Sequence, residues 1–230
     1  MIGGIGPEST VEYYRLIIAA YRARVRDGSY PQLVMTSVDL KRMMDLVSAN
    51  ELDRVIQFLL DELHRLERAG AEIAFVAANT PHLVFDELRA QSPVPLVSIV
   101  EAARDAASEL GLTRVGLIGT SFTMEATFYP DVFARSGIAV VVPPPDDRAF
   151  VHQKYVGELV NADIRPDTFR ELVAIIARLR EHEGIDGIVL GGTELSLILS
   201  DASYAGIPVL DTTRIHAERV VAEAMAPRLS

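Results

Sequence analysis

The segment Gly70-Ala71-Glu72-Ile73-Ala74-Phe75-Val76-Ala77-Ala78-Asn79-Thr80 has a near copy at Gly184-Ile185-Asp186-Gly187-Ile188-Val189-Leu190-Gly191-Gly192-Thr193-Glu194. Each copy runs from a glycine through an acidic residue and a hydrophobic strand to a polar turn that opens a short helix. Each then leads to a short strand entered through proline, Val94-Pro95-Leu96-Val97 and Ile207-Pro208-Val209-Leu210. The offset is 114 residues for the first part and 113 for the second. Two similar α/β lobes are the simplest explanation; the alternative is coincidence, because strand–turn–helix units look alike. Duplication predicts two pseudo-symmetric lobes, each a mainly parallel sheet flanked by helices, with the site in the cleft between them. The boundaries expected are 1–98 plus 209–230 for one lobe and 99–208 for the other.

The rest of the chain carries the same alternation. Strand-like apolar runs occur at 33–38, 73–78, 94–97, 115–119, 138–142, 187–191 and 208–210. Helical stretches are expected at 7–25, 50–69, 81–90, 99–110, 124–135, 149–160, 166–183 and 213–226. Pro7, Pro81 and Pro166 stand where a first helical turn tolerates a missing N–H. Asn50 is read as the cap of the following helix, and Gly70 as its left-handed terminator. Strands that are apolar throughout and separated by helices belong to parallel sheets covered on both faces.

Composition narrows the function. The 230 residues are 49% hydrophobic, carry a net charge of −10 and include neither cysteine nor tryptophan. A chain without cysteine has no disulfide, iron–sulfur cluster or thiol nucleophile. No two histidines have the spacing of a helical zinc motif, so no metal site is expected. An acidic chain with no basic run is a poor partner for nucleic acid or an anionic membrane. No apolar run reaches the roughly 20 residues of a membrane span, and the first residues show no signal-peptide pattern. A cytoplasmic location follows as the default.

In open parallel sheets, ligands sit at the carboxyl ends of strands, so the loops there hold the candidates. Gly3-Gly4-Ile5-Gly6-Pro7-Glu8-Ser9-Thr10 lets a ligand approach backbone at a helix start, or is simply a tight turn. Asn79 and Thr80, and Thr193 in the second copy, offer donors to a carboxylate. Thr120 and Thr123 in Gly119-Thr120-Ser121-Phe122-Thr123 do the same, or cap a helix. The only two lysines, Lys41 and Lys154, fall in two further loop-like segments, Asp39–Arg42 and Phe150–Tyr155. Both are candidates for an anionic substrate, or else ordinary surface cations.

These motifs, in order and spanning nearly the whole chain, resemble the aspartate/glutamate racemase superfamily. Gly3-Gly4-Ile5-Gly6-Pro7-Glu8-Ser9-Thr10 is similar to its Gly-Gly-x-Gly-Pro-x-Ala-Thr, Ala78-Asn79-Thr80-Pro81-His82 to its Cys-Asn-Thr-x-His, and Gly191-Gly192-Thr193-Glu194 to its Gly-Cys-Thr-Glu. The resemblance implies a two-lobed α/β fold, a homodimer, no cofactor, and a small carboxylate or amino acid as substrate. It places Asn79, Thr80, Thr120, Thr123 and Thr193 against the substrate, with Ser9 and Thr10 lining the same site and Lys41, Arg42 and Lys154 near the carboxylate-binding cations.

Two departures follow from the same comparison. The family's opposed acid and base are cysteines, and here those positions are Ala78 and Gly192, neither able to move a proton. The opening strand, usually full length, is reduced to Met1-Ile2. A racemase or isomerase acting on aspartate- or glutamate-type substrates would therefore need substitutes. His82, Glu194 and His152, with Glu8 and Lys154 behind them, are the candidates, and histidine has the most suitable ordinary pKa, about 6.5. The alternatives are a homologue that binds a small carboxylate without turnover, a decarboxylase or hydrolase using the same cleft, or a chain whose cysteines were removed by design.

Overall fold

The computed structural model describes Met1–Ala226. The chain divides into two compact units, Met1–Ser98 with the chain from His216 onward, and Ile99–Ile215. Residues 209–215 go with the second unit in this division, where the sequence reading set the boundary at 208.

The first unit opens with β1 (Ile2–Gly3), α1 (Pro7–Arg24), β2 (Thr36–Ser37), α2 (Leu40–Ser48) and α3 (Leu52–Arg68). A 3-10 turn (Thr80–Val84) and α4 (Phe85–Gln91) follow. β1 pairs in parallel with β2, and parallel bridges Ile2–Val76 and Ala74–Leu96 extend the layer. The strands expected at 73–78 and 94–97 are reduced to these isolated bridges, with Ala77 N donating to Ile2 O and Val97 N to Ala74 O, at 2.9 and 3.0 Å. The regular strand expected over 33–38 shrinks to two residues because β1 offers only two residues to pair with.

The second unit holds α5 (Ile99–Glu109), β3 (Arg114–Gly119), α6 (Ser121–Glu125), α7 (Phe128–Ala134), β4 (Ala139–Val141) and α8 (Pro145–Gly157). Then come a 3-10 turn (Leu159–Asn161), α9 (Pro166–Glu183), β5 (Gly187–Gly191), α10 (Leu195–Ile198), β6 (Ser203–Tyr204) and β7 (Ile207–Asp211). α11 (Thr212–Met225) follows, its residues from His216 belonging to the first unit. The sheet order is β4-β3-β5-β7-β6, parallel except for β6 against β7.

The register confirms the duplication. Ala74 pairs with Leu96 in the first unit, and Ile188 with Val209 in the second. These are the residues related by offsets of 114 and 113. Each unit is an α/β layer in which the repeated segment occupies the same strand place.

Local chemistry explains where the elements depart from expectation. Asn50 does not cap α3: its φ is +55°, and its N–H and that of Glu51 return to Val47 O and Leu46 O. It terminates α2 in the left-handed region, which asparagine tolerates better than most residues. α2 itself begins where a loop was expected, because the Asp39 carboxylate accepts from Lys41 N at 2.9 Å and from Arg42 N at 3.4 Å. Gly70, at φ +90°, ends α3 as expected. The helix expected over 124–135 breaks at Ala126–Thr127 into α6 and α7. Pro130 lacks the N–H needed inside a longer helix but is harmless in a first turn.

Helix α3 shows what binds the layers. Val55, Leu59, Leu60, Leu63 and Leu66 are buried along one face, each such side chain contributing roughly 1.5–3 kcal/mol on burial. In the second unit, Ile118, Ile188 and Leu190 of the sheet pack with Leu172, Ile175, Ile176 and Leu179 of α9. Val115, Leu117 and Val189 meet Tyr129 and Phe133 of α7.

Candidate functional site

In the first unit the glycine-rich loop is held from within. Thr10 Oγ1 donates to Gly6 O and accepts from Gly4 N, both at 2.8 Å. Ser9 Oγ also donates to Gly6 O, at 3.0 Å. Both hydroxyls are buried and serve to fold the loop onto the start of α1. Gly4 sits at φ +90°, and a Cβ there would lie 2.6 Å from Val38 N, so only glycine fits.

The repeated strand ends at Ala78, and Asn79, Thr80 and His82 are all buried in the turn that follows. His82 stacks on Phe85, with ring centroids 4.3 Å apart and planes 6° from parallel. Arg89 lies on the same phenyl ring, 4.6 Å from its centroid. Burial first, then His216 and Arg89, lower the His82 pKa to about 3. Burial therefore favours the neutral form of the ring that the sequence offered as a base. His216 is a structural residue, accepting or donating at 2.8 Å to Tyr13 Oη and at 3.1 Å to Val97 O. The Val97 carbonyl makes Nε2 the donor there, leaving Nδ1 to accept from Tyr13.

In the second unit the carboxyl ends of β3 and β5 meet at the paired glycines Gly119 and Gly191. A Cβ on Gly119 would lie 2.7 Å from Gly191 O, so the two backbones approach as closely as they do because neither carries a side chain. Thr120 caps α6, its Oγ1 accepting from Thr123 N at 3.3 Å and lying 3.2 Å from Thr123 Oγ1. His152 Nδ1 accepts from Ser121 N at 3.2 Å. With Nδ1 accepting, the neutral ring carries its proton on Nε2.

After β5, Thr193 Oγ1 donates to Glu194 Oε2 at 2.9 Å. The same carboxylate oxygen accepts from Tyr155 Oη. Thr193, Glu194 and Tyr155 are all buried. Burial first, then the Glu194 charge, raise the Tyr155 pKa well above its ordinary value and keep the phenol protonated. The ring of Tyr155 stands over Gly192: a Cβ at 192 would lie 2.9 Å from Tyr155 Cζ and 3.0 Å from Tyr155 Oη. Tyr155 thus fills the space in which a side chain at 192 would project.

Both lysines form ion pairs with carboxylates of the chain. Lys41 pairs with Asp45 of its own helix at 2.6 Å on the exposed surface. Lys154 pairs with Glu158 at 2.6 Å; Lys154, Thr168 and Arg165 together hold the Glu158 carboxyl below its ordinary pKa. Sequence reading passed over Tyr155, whose contact with residues 192–194 joins positions far apart in the chain. It also passed over Thr213, buried in the first turn of α11 with Oγ1 lacking a hydrogen-bond partner among the described residues. Among those residues no three His, Asp or Glu side chains converge as a metal site. No described helix is long and apolar enough to cross a membrane.

A family described as Asp/Glu/Hydantoin racemase matches residues 2–220. The chain is 24% identical to the broad specificity amino-acid racemase RacX of Bacillus subtilis (strain 168), over 98% of this chain and 97% of that protein. Its structure is similar to that of an aspartate racemase homologue from Pyrococcus horikoshii OT3, with a TM-score of 0.82 and 35% identity, covering 97% of this chain and 96% of the other. A Picrophilus torridus aspartate racemase shares the fold, with a TM-score of 0.76 at 21% identity, over 100% of this chain and 94% of the other.

Proposed function

Because the chain belongs to the Asp/Glu/Hydantoin racemase family, we propose that it binds a small α-amino acid or related carboxylate, aspartate or glutamate in type, and does not invert it through paired thiols. Asn79, Thr80, Thr120, Thr123 and Thr193 are the proposed ligand-binding positions. The observation that carries the second half of the reading is the pair Ala78 and Gly192. Both family thiol positions lack a proton-carrying side chain, and at 192 the Tyr155 ring stands where a cysteine side chain would go.

Direct inversion needs an acid and a base on opposite faces of the α-carbon. Each such group supplies roughly 10²–10⁴-fold in rate, so loss of both suppresses racemisation far more than loss of one contact would. Carboxylate binding is less affected, because hydroxyls, amides and helix starts supply it. The reading needs no cofactor, and the cytoplasmic homodimer implied by the resemblance belongs to the same proposal.

The test is titration calorimetry with the enantiomers of aspartate, glutamate and a panel of other amino acids, beside chiral chromatography of the same mixtures. Binding with weak or absent inversion is expected. Rapid racemisation by the unaltered chain refutes the reading, and failure of every ligand to bind removes its first half.

A further inference from the structure

The residue that displaces a side chain at 192 is itself a proton carrier. Tyr155 Oη lies 3.0 Å from the point where a side chain at 192 would begin, and its proton is donated to the Glu194 carboxylate. Glu194 is held in turn by Thr193 Oγ1 at 2.9 Å. Phenol, carboxylate and hydroxyl come from α8 and from the turn after β5, all within the second unit. A ring that merely filled space could be phenylalanine; here the hydroxyl points its proton at a buried carboxylate.

We propose that Tyr155 and Glu194 form a proton relay in place of the thiol at 192, and that the protein exchanges the α-hydrogen of its amino-acid ligand from one face only. The inference rests on the ligand-binding reading above and adds a chemical step to it. In that step the Cα–H bond breaks and its hydrogen bonds to Tyr155 Oη. The phenolic proton passes at the same time to Glu194 Oε2. The electron pair stays on the ligand as the carbanion, delocalised into its carboxylate. The acidic proton on Glu194 exchanges with solvent water, and reversal returns a solvent hydrogen through Tyr155 to the same face of the α-carbon.

Concerted transfer answers the objection that Tyr155 is a poor base by itself. Its strongly held proton is released only toward Glu194, in the hydrogen bond already formed. The other family thiol position is Ala78, which carries no proton, so the ligand leaves with its configuration unchanged. Tyr155 is the proposed catalytic residue, and Glu194 acts through it.

The experiment follows α-hydrogen loss by proton NMR in deuterated water for each enantiomer of the panel. Chiral chromatography and calorimetry are run on the same samples. Exchange is expected for one enantiomer of a bound amino acid, with retention of configuration. Tyr155→Phe and Glu194→Gln should each lower it by about 100-fold or more while binding changes by no more than a few-fold. Ala78→Cys, which adds a thiol at the other position, should turn part of the exchange into inversion. Binding without exchange overturns the relay and leaves the binding reading standing. Equal exchange of both enantiomers, or undiminished exchange in Tyr155→Phe, also overturns it. Absence of binding overturns both.

Discussion

Gly192→Ala tests the packing on which the site rests. The new Cβ would lie 2.9 Å from Tyr155 Cζ and 3.0 Å from Tyr155 Oη, well inside ordinary carbon contact distances of about 3.5–4.0 Å. The ring cannot swing aside freely, because Tyr155 is part of the cluster formed with Met124, Val151, Leu159 and Leu195. Overpacking of this kind costs about 1–3 kcal/mol. Displacing the phenol also weakens its hydrogen bond to the Glu194 carboxylate, a class of bond worth roughly 1.5–3 kcal/mol. Against these stands the ordinary Gly→Ala gain of about 0.4–1 kcal/mol from the unfolded chain. A net loss of about 1–3 kcal/mol follows, read as a lower urea midpoint by circular dichroism. In a Tyr155→Ala background the same substitution should cost nothing, so the double-mutant cycle should show a coupling of about the size of the single loss. A Gly192→Ala protein as stable as the parent, or an unchanged cost without the ring, would refute the account of Tyr155 as the occupant of that space.

Other outcomes follow from the same contacts. Ala78→Cys combined with Gly192→Cys should be less stable than the parent and racemise no faster than Ala78→Cys by itself in chiral chromatography. Gly4→Ala should cost about 2 kcal/mol or more in urea unfolding, since left-handed backbone and a contact with Val38 N act together. Burial lowers the His82 and His216 pKa values to about 3 and about 4. The unfolded chain therefore takes up protons near pH 6.5 while the folded chain does not. Stability contributed by these neutral rings is complete above pH 6.5 and is lost as pH falls toward 4 and then 3, at about 1.4 kcal/mol per pKa unit. A urea midpoint that stays level from pH 7 to pH 4 would contradict it. Thr80→Val should weaken calorimetric binding of the amino acid by about 2- to 10-fold, the worth of one neutral hydrogen bond.

The strand–turn–helix repeat was legible in the chain because both copies keep apolar runs between glycine and a polar turn, and the pair Ala74–Leu96 has its counterpart in Ile188–Val209. Boundaries set by tertiary contacts were less legible. Asn50 is equally at home capping one helix or ending another, and only the return of its N–H to Val47 O decides. The candidate site was legible as a set of turns, and as the absence of proton carriers at Ala78 and Gly192. The commitments of its ionisable groups were hidden. Lys154 beside Glu158, His152 on the Ser121 amide and the phenol of Tyr155 on Glu194 each depend on where a side chain points. Nothing in the alternation of apolar and polar residues encodes a contact across 37 positions between a tyrosine and a glycine.

The division of the chain also bears on how it is made. The core of the first unit joins Tyr13, Ile17 and Phe75 to Ala217, Val220 and Val221, and His216 ties Tyr13 Oη to Val97 O. These partners leave the ribosome only after the whole of the second unit has been synthesised. The second unit is continuous from Ile99 to Ile215 and has all its strands once β7 has emerged. The usual order, in which the amino-terminal domain folds first during synthesis, is therefore reversed here. The nascent first unit cannot close its core around Tyr13 and Phe75 until Ala217, Val220 and Val221 have been made.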